Sequence, residues 1–165
     1  MNMMPPVTKN LLIINVLCFL GMHVAIRHGI NLNGMLGLHF FLADNFMPYQ
    51  LLTYMFMHGN LEHVFFNMFA VWMFGRIMEQ TLGPRRFLIY YIVCGLGAGL
   101  IQELVQLAEY WYLGLSNYDQ IVLSGTLTPM AEYLNRWNTV GASGAVYGIL
   151  LAFGMPFPNE RVFIF

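Results

Sequence analysis

Charged residues are scarce in this sequence of 165 residues. They make up 9% of the chain, while hydrophobic residues make up 58% and the mean hydropathy is +0.60. A soluble domain carries about 25% charged residues, so the composition excludes an ordinary soluble domain and predicts a protein that crosses a membrane several times. The net charge of −1 also argues against nucleic acid as a partner. The expected surroundings are a lipid bilayer.

Cysteine is equally rare. Cys18 and Cys94 both fall inside apolar runs, where buried free thiols are the default, so they indicate neither a compartment nor a metal site. The metalloprotease pattern His-Glu-x-x-His is absent too, because no histidine follows Glu62-His63 at the required interval. The sequence therefore predicts no metal ion and no other cofactor.

The long apolar runs predict an all-α, polytopic membrane helix bundle that forms one domain over residues 1–165. Four transmembrane helices are expected, at about residues 11–26, 61–82, 87–107 and 143–155. A fifth apolar element begins at Val162. The second helix has a marked end, because Gly83 suits the position after a helix C-terminus and Pro84 cannot continue the helix.

The first apolar run has a second interpretation. Its length, from Leu11 to Ile26, is also that of a secretory signal peptide. No small-x-small cleavage site follows it and further spans come later, so a transmembrane helix is the preferred interpretation.

Two features of the third helix bear on its surroundings. Gly95 and Gly99 have the small-xxx-small spacing that lets another helix approach closely. Glu103 and Glu109 are expected to mark the end of the helix that meets water.

Two long connections separate the helices. Residues 27–57 combine helix-breaking glycines with large apolar side chains, so we expect this segment to lie in the membrane interface or to pack on its own protein. Residues 108–140 are polar and aromatic. Within them, the stretch from Thr128 to Leu134 predicts a short surface helix, with Thr128 as its cap and Pro129 in its first turn.

The cations indicate an orientation. With the N-terminus in the cytoplasm, the outer side of the membrane receives only Arg27 and Arg136. The inner side then receives Lys9, Arg76, Arg85, Arg86 and Arg161. This distribution follows the positive-inside rule. We therefore predict a cytoplasmic N-terminus, with Ser143 and the start of the second helix on the outer side.

A serine between two glycines, in Gly141-Ala142-Ser143-Gly144, opens the fourth apolar run. A helix N-terminus presents free backbone N–H groups and a positive dipole end, which stabilise developing negative charge. The predicted helix is about 18 Å long, against a hydrocarbon layer of about 30 Å. Ser143 is therefore expected below the outer surface, against a wet cavity. The alternative is a serine N-cap between two packing glycines.

Polar residues also line one face of the second helix. His63 and Asn67 are four positions apart, so they share that face. Imidazole and carboxamide groups both donate hydrogen bonds to an oxyanion, which acyl transfer needs. The alternative is that the pair bonds one helix to another. His58 is five positions from His63 and is expected to structure the preceding loop.

Taken together, these features resemble the rhomboid family of intramembrane serine proteases. The resemblance rests on four motifs in order: His63-x-x-x-Asn67, Glu79-x-x-Leu82-Gly83, the glycine-rich third helix, and Gly141-Ala142-Ser143-Gly144. It implies a rhomboid-like fold in which Ser143 is the nucleophile that attacks a peptide bond of a transmembrane protein substrate.

The resemblance also implies roles for other residues. The Ser143 backbone N–H and the side chains of His63 and Asn67 would form the oxyanion hole. Gly141, Gly144 and Tyr147 would support the site near the serine, and Tyr147 would pack on the catalytic histidine. Glu79 and Gly83 would have structural roles at the inner end of the second helix. Residues 27–57 resemble the membrane-lying first loop, with Tyr49-Gln50 where many members have Trp-Arg.

The general base is the main departure from the family pattern. A rhomboid takes it from a histidine on the sixth helix, whereas the histidines here all precede the serine: His23, His28, His39, His58 and His63. A serine hydroxyl is a weak nucleophile without a base. We therefore expect a Ser-His dyad whose histidine belongs to a longer protein, and no proteolysis by these 165 residues alone.

Two expectations complete the interpretation. The protein is expected in a bacterial inner membrane. The alternative function is a catalytically inactive rhomboid-like protein that binds or chaperones membrane clients.

Overall fold

The computed structural model describes residues 4–155, and most of them are helical. The α-helices are Pro6–Arg27 (α1), Leu32–Leu36 (α2), Gln50–Thr53 (α3), Leu61–Ala70 (α4), Arg76–Leu82 (α5), Pro84–Tyr112 (α6), Met130–Leu134 (α7) and Ser143–Gly154 (α8). The strands are Leu38–His39 (β1), Gln120–Leu123 (β2), Thr126–Pro129 (β3) and Asn138–Thr139 (β4). Short 3-10 helices occupy Tyr54–Phe56 and Leu115–Asn117. The predicted fifth element at Val162 and the inner cation Arg161 lie outside the described residues.

Two helices, α1 and α6, are long and apolar enough to cross a membrane. The predicted second helix runs without a break from Leu61 to Leu82, because a π-helical turn, Val71–Gly75, joins α4 to α5. The predicted fourth helix is α8, whose 12 residues extend about 18 Å. The count of four transmembrane helices stays a prediction.

The first helix begins at Pro6, several residues before its predicted start. Proline is tolerated at this position because its missing N–H would have no partner within the helix. The next N–H groups do find a partner: Val7 and Thr8 donate to the carboxylate of Glu79 at 2.9 and 2.7 Å, and the Thr8 hydroxyl donates to it at 2.8 Å. The start of α1 and the end of α5 therefore lie at the same end of the bundle.

The end of α5 is a sharp turn into α6. Gly83 follows Leu82 with φ +80°, and its N–H donates to the carbonyl of Glu79. A positive φ favours glycine, which has no Cβ to clash with its own backbone. Pro84 then begins α6, so α6 starts at the end of the bundle where α1 also starts.

The fourth helix packs antiparallel on the middle of α6. Gly144 lies opposite Ala98, in contact so close that a Cβ on the glycine would overlap the alanine methyl. One turn later, a Cβ on Gly148 would lie 2.5 Å from the Cys94 sulfur. The glycines that allow this close approach are therefore on α8.

The glycines of α6 allow the close approach of a different neighbour from the one predicted. A Cβ on Gly95 would overlap the Met55 side chain, and a Cβ on Gly99 would lie 3.2 Å from the Tyr54 ring. The Tyr54 hydroxyl donates to the Gly95 carbonyl at 2.6 Å. The prediction that this pair admits another helix is wrong, because the space is filled by side chains of the 3-10 turn that ends the first loop.

The chain is mostly helical, as predicted, and two small antiparallel sheets accompany the helices. β1 pairs with β4, and β2 pairs with β3 across a turn at Ser124-Gly125, where both residues have positive φ. The predicted surface helix begins at Met130 and not at Thr128, because Thr128 belongs to β3 and Pro129 takes the cap position.

A second, smaller core lies at the C-terminal end of α6, on the side predicted to be the outer one, and we call it the outer cluster. Its buried members are Phe40, Ala43, Leu115, Met130 and Leu134. The Phe40 ring packs on Trp137 and Tyr110 at centroid distances of 5.3 and 5.9 Å. The cluster therefore joins the first loop, the end of α6 and the segment around the hairpin.

The first loop also covers Glu103, contrary to prediction. This side chain is buried, and one carboxylate oxygen accepts a hydrogen bond from the Phe41 backbone N–H at 2.8 Å. Glu103 therefore holds the first loop against α6 and does not mark a wet helix end.

Candidate active site

The second helix presents its polar face from a well-capped start. Asn60 occupies the N-cap of α4, and its side-chain oxygen accepts the His63 backbone N–H at 2.8 Å. This cap fixes the first turn, so His63 and Asn67 point from the same face one turn apart. Asn67 is buried, and His63 is partly exposed.

The imidazole of His63 meets the loop that leads to the serine. A Cβ on Gly141 would lie 2.5 Å from His63 Cε1 and 2.6 Å from Nε2. Gly141 has φ +126°, and its N–H donates to the Tyr54 carbonyl at 2.9 Å. This position thus needs glycine for two reasons, its backbone conformation and the closeness of the ring.

Ser143 is the first residue of α8, and its hydroxyl is unused in the described part of the chain. Ala142 occupies the cap position, without any side-chain cap bond. The alternative of a serine N-cap is therefore wrong. The residue is half-buried, and no hydrogen bond joins its hydroxyl to any other described residue.

The depth of Ser143 follows from its neighbour on α6. Gly144 lies opposite Ala98, the midpoint of the 29 residues of α6. From Ala98 to either end of α6 is about 21 Å at 1.5 Å per residue. The N-terminus of α8 therefore lies halfway along the longest helix, with irregular backbone leading to it, which membranes tolerate only inside protein or beside water.

The hydrogen-bonding groups on the polar face of α4 are unpaired. The Asn67 amide nitrogen is buried without a hydrogen-bond partner, and within residues 4–155 no partner bonds the His63 ring nitrogens. A pair that fastened one helix to another would need such bonds. Two donors are thus free beside the loop that carries the serine.

His58 lies behind His63. Its ring is fully buried and meets the His63 ring edge to face at a centroid distance of 5.3 Å. Burial, and then the neighbouring charge of His63, lower the pKa of His58 to about 4, although a Phe56 backbone group acts the other way. Neither ring nitrogen makes a well-formed hydrogen bond. His58 is a neutral packing group against His63, and it is not bonded to the Ser143 hydroxyl.

The remaining predicted residues are Tyr147, which lies near this site, and Glu79 and Gly83, which lie far from it. Tyr147, one turn after the serine, is 71% exposed, and its ring packs on none of the five histidines, all of which are described. Glu79 and Gly83 lie at the opposite end of the helix that carries His63, where they fix the start of α1 and the turn into α6.

Sequence reasoning missed a polar link that supports the serine loop. Strand β4 pairs with β1 so that Asn138 lies opposite His39. The Asn138 amide donates to the Asn33 carbonyl at 2.9 Å and lies 3.3 Å from His39 Nε2, which itself bonds the Gly34 carbonyl at 2.8 Å. Two-residue strands carry no periodic signal, so only the folded chain reveals this link.

Gln50 organises the first loop in a similar way. Its side chain accepts the backbone N–H groups of His39 and Met47 and donates to the carbonyls of Met35 and Asn45, at 3.0–3.3 Å. Gln50 therefore lies at the centre of the loop that braces β1, although many members of the family that the sequence resembles have arginine at this position.

No group of three or more potential metal ligands occurs among residues 4–155. The arrangement that is present consists of a hydroxyl at a buried helix N-terminus, with two side-chain donors on the facing helix. Such an arrangement suits nucleophilic attack with stabilisation of an oxyanion.

The sequence of this chain is similar to those of known proteins. A sequence model of the Rhomboid domain matches residues 45–165. Rhomboid protease AarA of Providencia stuartii is 34% identical over 98 residues, which are 59% of this chain and 30% of that protein. Rhomboid protease GlpG of Salmonella choleraesuis (strain SC-B67) is 31% identical over 71 residues, 43% of this chain and 25% of that protein. The matched part is less than a third of either relative.

Proposed function

Because the chain belongs to the rhomboid family, we propose that it supplies the nucleophile and the oxyanion hole of an intramembrane serine endopeptidase. The observation that carries the proposal is the contact of His63 with Gly141, two residues before a serine whose hydroxyl has no partner among residues 4–155. This contact brings the polar face of α4 to the N-terminus of α8.

In the proposed reaction, the Ser143 oxygen attacks the carbonyl carbon of a peptide bond. The carbonyl oxygen gains negative charge as the tetrahedral intermediate forms. Three donors receive it: the backbone N–H of Ser143, the imidazole of His63 and the amide of Asn67. The two side-chain donors are unpaired within residues 4–155, so they need to break no hydrogen bond to that part of the chain before they bind the oxyanion.

The general base is proposed to be a histidine outside these 165 residues. Ser143 is hydrogen-bonded to none of the five histidines of the chain. Burial keeps His58 neutral, and its ring lies beside His63 and not beside the serine. The proposed histidine would take the serine proton during attack and return it to the leaving amine. Acting alone, the 165 residues would leave Ser143 without activation.

The substrate is proposed to be a transmembrane protein. The serine lies halfway along α6, so a peptide bond reaches it only if it enters the bundle at that depth. We propose that the protein lies in a bacterial inner membrane with its N-terminus in the cytoplasm. In support, the structure brings the start of α1, with Lys9, to the same end as Arg85 and Arg86.

Fluorophosphonate labelling and cleavage of a single-span substrate by the full-length protein test the proposal. Ser143→Ala should abolish both. Asn67→Ala and His63→Ala should each lower the cleavage rate by about 10²–10³-fold, the cost of one oxyanion donor, while His28→Ala at the exposed end of α1 should change neither.

Two results would contradict this assignment. Labelling that persists in Ser143→Ala would place the nucleophile elsewhere. A full-length protein that is folded but neither labelled nor active would favour the inactive, client-binding alternative.

A further inference from the structure

The β2–β3 hairpin has one face that its surroundings do not explain. In its register, Val122 lies opposite Leu127, and Gln120 lies opposite Pro129. These four residues share one face, and Val122 and Leu127 are each 68% exposed. A hairpin with one face in water normally carries polar residues there, so an exposed pair of apolar residues indicates an apolar partner.

The opposite face of the hairpin is already occupied. Thr128 is buried, and Ile121 packs against the outer cluster, which also contains Met130. The Met130 N–H donates to the Asp119 carbonyl at 2.8 Å, which closes the base of the hairpin. The hairpin is therefore held on the end of α6 with its Val122–Leu127 face directed away from the protein.

The hairpin also lacks charge. From Gln120 to Ala131 the sequence contains no Asp, Glu, Lys or Arg. A protein partner is usually steered by charges at the rim of an interface, whereas an uncharged apolar tip bordered by aromatic rings is typical of segments at the membrane interface.

The aromatic residues next to the hairpin continue the outward-facing row of α6. Trp111 and Tyr112 lie seven positions after Leu104 and Val105, so they share the same helix face two turns further along. All four side chains are exposed. On this face the exposed apolar side chains are followed, after the exposed Glu109, by an aromatic belt of Trp111 and Tyr112 at the end of α6.

The length of α6 places this belt at the right level. Its 29 residues extend about 43 Å, whereas the hydrocarbon layer is about 30 Å thick. With Arg85 and Arg86 at the headgroups of one leaflet, the last turns of α6 reach the headgroups of the other. Tyr118, which precedes the hairpin in the sequence, is exposed as well.

From these observations we propose that the β2–β3 hairpin is a membrane-interface anchor on the Ser143 side of the bundle. Val122 and Leu127 enter the boundary between headgroups and acyl chains, with Trp111, Tyr112 and Tyr118 around them. The anchor fixes the level of the outer cluster, and through Trp137 it fixes the segment that leads to strand β4 and the serine.

Depth-dependent fluorescence quenching tests this proposal. In the full chain with Cys18→Ser and Cys94→Ser, a single cysteine is introduced by Val122→Cys, by Leu127→Cys, or by Glu132→Cys as the control on the exposed face of α7. Each is labelled with an environment-sensitive fluorophore, in vesicles of phosphatidylethanolamine and phosphatidylglycerol with brominated acyl chains.

The labels at 122 and 127 should be blue-shifted and quenched several-fold more by the brominated lipid than the label at 132. Aqueous iodide should quench the label at 132 most. Equal quenching of all three by iodide would show that the hairpin projects into water. Blue-shifted labels at 122 and 127 that brominated lipid does not quench would show that protein covers the face. Either result would overturn the proposal.

Discussion

The ring of His63 lies against the α-carbon of Gly141, with space there for a hydrogen and for nothing larger. Two segments nearly eighty residues apart meet at this contact: the first turn of α4 and the loop that ends at Ser143. His63, the proposed oxyanion donor, can thus occupy its position because Gly141 in the facing loop has no side chain.

Replacing Gly141 with alanine should displace His63. The added Cβ would lie 2.5 Å from His63 Cε1, and the backbone at φ +126° would be strained as well. We expect the cleavage rate of the full-length protein to fall by about 10²-fold or more, as for the loss of an oxyanion donor. Gly97→Ala is the matched control, since its Cβ would meet no atom within 4 Å. If both variants kept full activity, the His63 position would not matter for the reaction.

Replacing Glu79 with alanine should destabilise the bundle. The buried carboxylate accepts three hydrogen bonds from Val7 and Thr8 at the start of α1, and its removal leaves those donors without partners. We expect a loss of about 3 kcal/mol in the free energy of unfolding. Denaturant titration in detergent measures it.

Glu132→Ala provides the comparison for Glu79. Glu132 pairs with Arg136 at 3.0 Å on the exposed surface of α7, and such pairs contribute about 0–1 kcal/mol. Equal losses in the two variants would show that the contact with α1 is not responsible for the effect at Glu79.

His58 should make stability depend on pH. Burial and the nearby His63 lower its pKa from 6.5 to about 4 in the folded protein. The unfolded chain therefore binds a proton at this site at a higher pH than the folded chain does. The contribution of His58 to stability is complete above pH 6.5 and is lost as pH falls through that value towards about 4.

Unfolding curves between pH 7 and pH 4 check the His58 prediction. His58→Leu should show a shallower decline than the wild type, because the titrating group is gone, and His28→Leu, at the exposed end of α1, should keep the wild-type slope. An unchanged slope in His58→Leu would assign the decline to other groups.

Asn138 should couple the first loop to the serine. Its amide donates to the Asn33 carbonyl and approaches His39, so Asn138→Ala removes a side-chain link between the two segments. We expect a stability loss of about 1 kcal/mol and slower fluorophosphonate labelling of Ser143 in the full-length protein. Asn117→Ala, in an exposed 3-10 turn, should change neither. Normal labelling in Asn138→Ala would show that strand pairing alone holds the loop.

Sequence patterns predicted the helix ends and turns that depend on residues close together in the chain. Gly83 and Pro84 encode the turn between α5 and α6, and the apolar run after Ser143 encodes α8, whose start is observed at Ser143. These are local effects of backbone conformation and hydrophobic period.

Features that depend on distant segments were missed. Burial of Glu103 requires the first loop to fold over α6, and the Asn138–His39 contact joins residues 99 positions apart. The hairpin was missed for another reason: the run Ile121-Val122-Leu123 has apolar residues on both faces, so alternation did not indicate a strand.

The link between Thr8 and Glu79 also has a consequence for biosynthesis. The two residues are 71 positions apart, and at about 5–20 residues per second the ribosome needs about 4–14 s to add the second after the first. During that interval the first N–H groups of α1 have no carboxylate to bind. The nascent first helix therefore lacks its interaction with Glu79 until the end of the second helix has been synthesised. A slower passage of residues 61–82 through the translocon would prolong this stage.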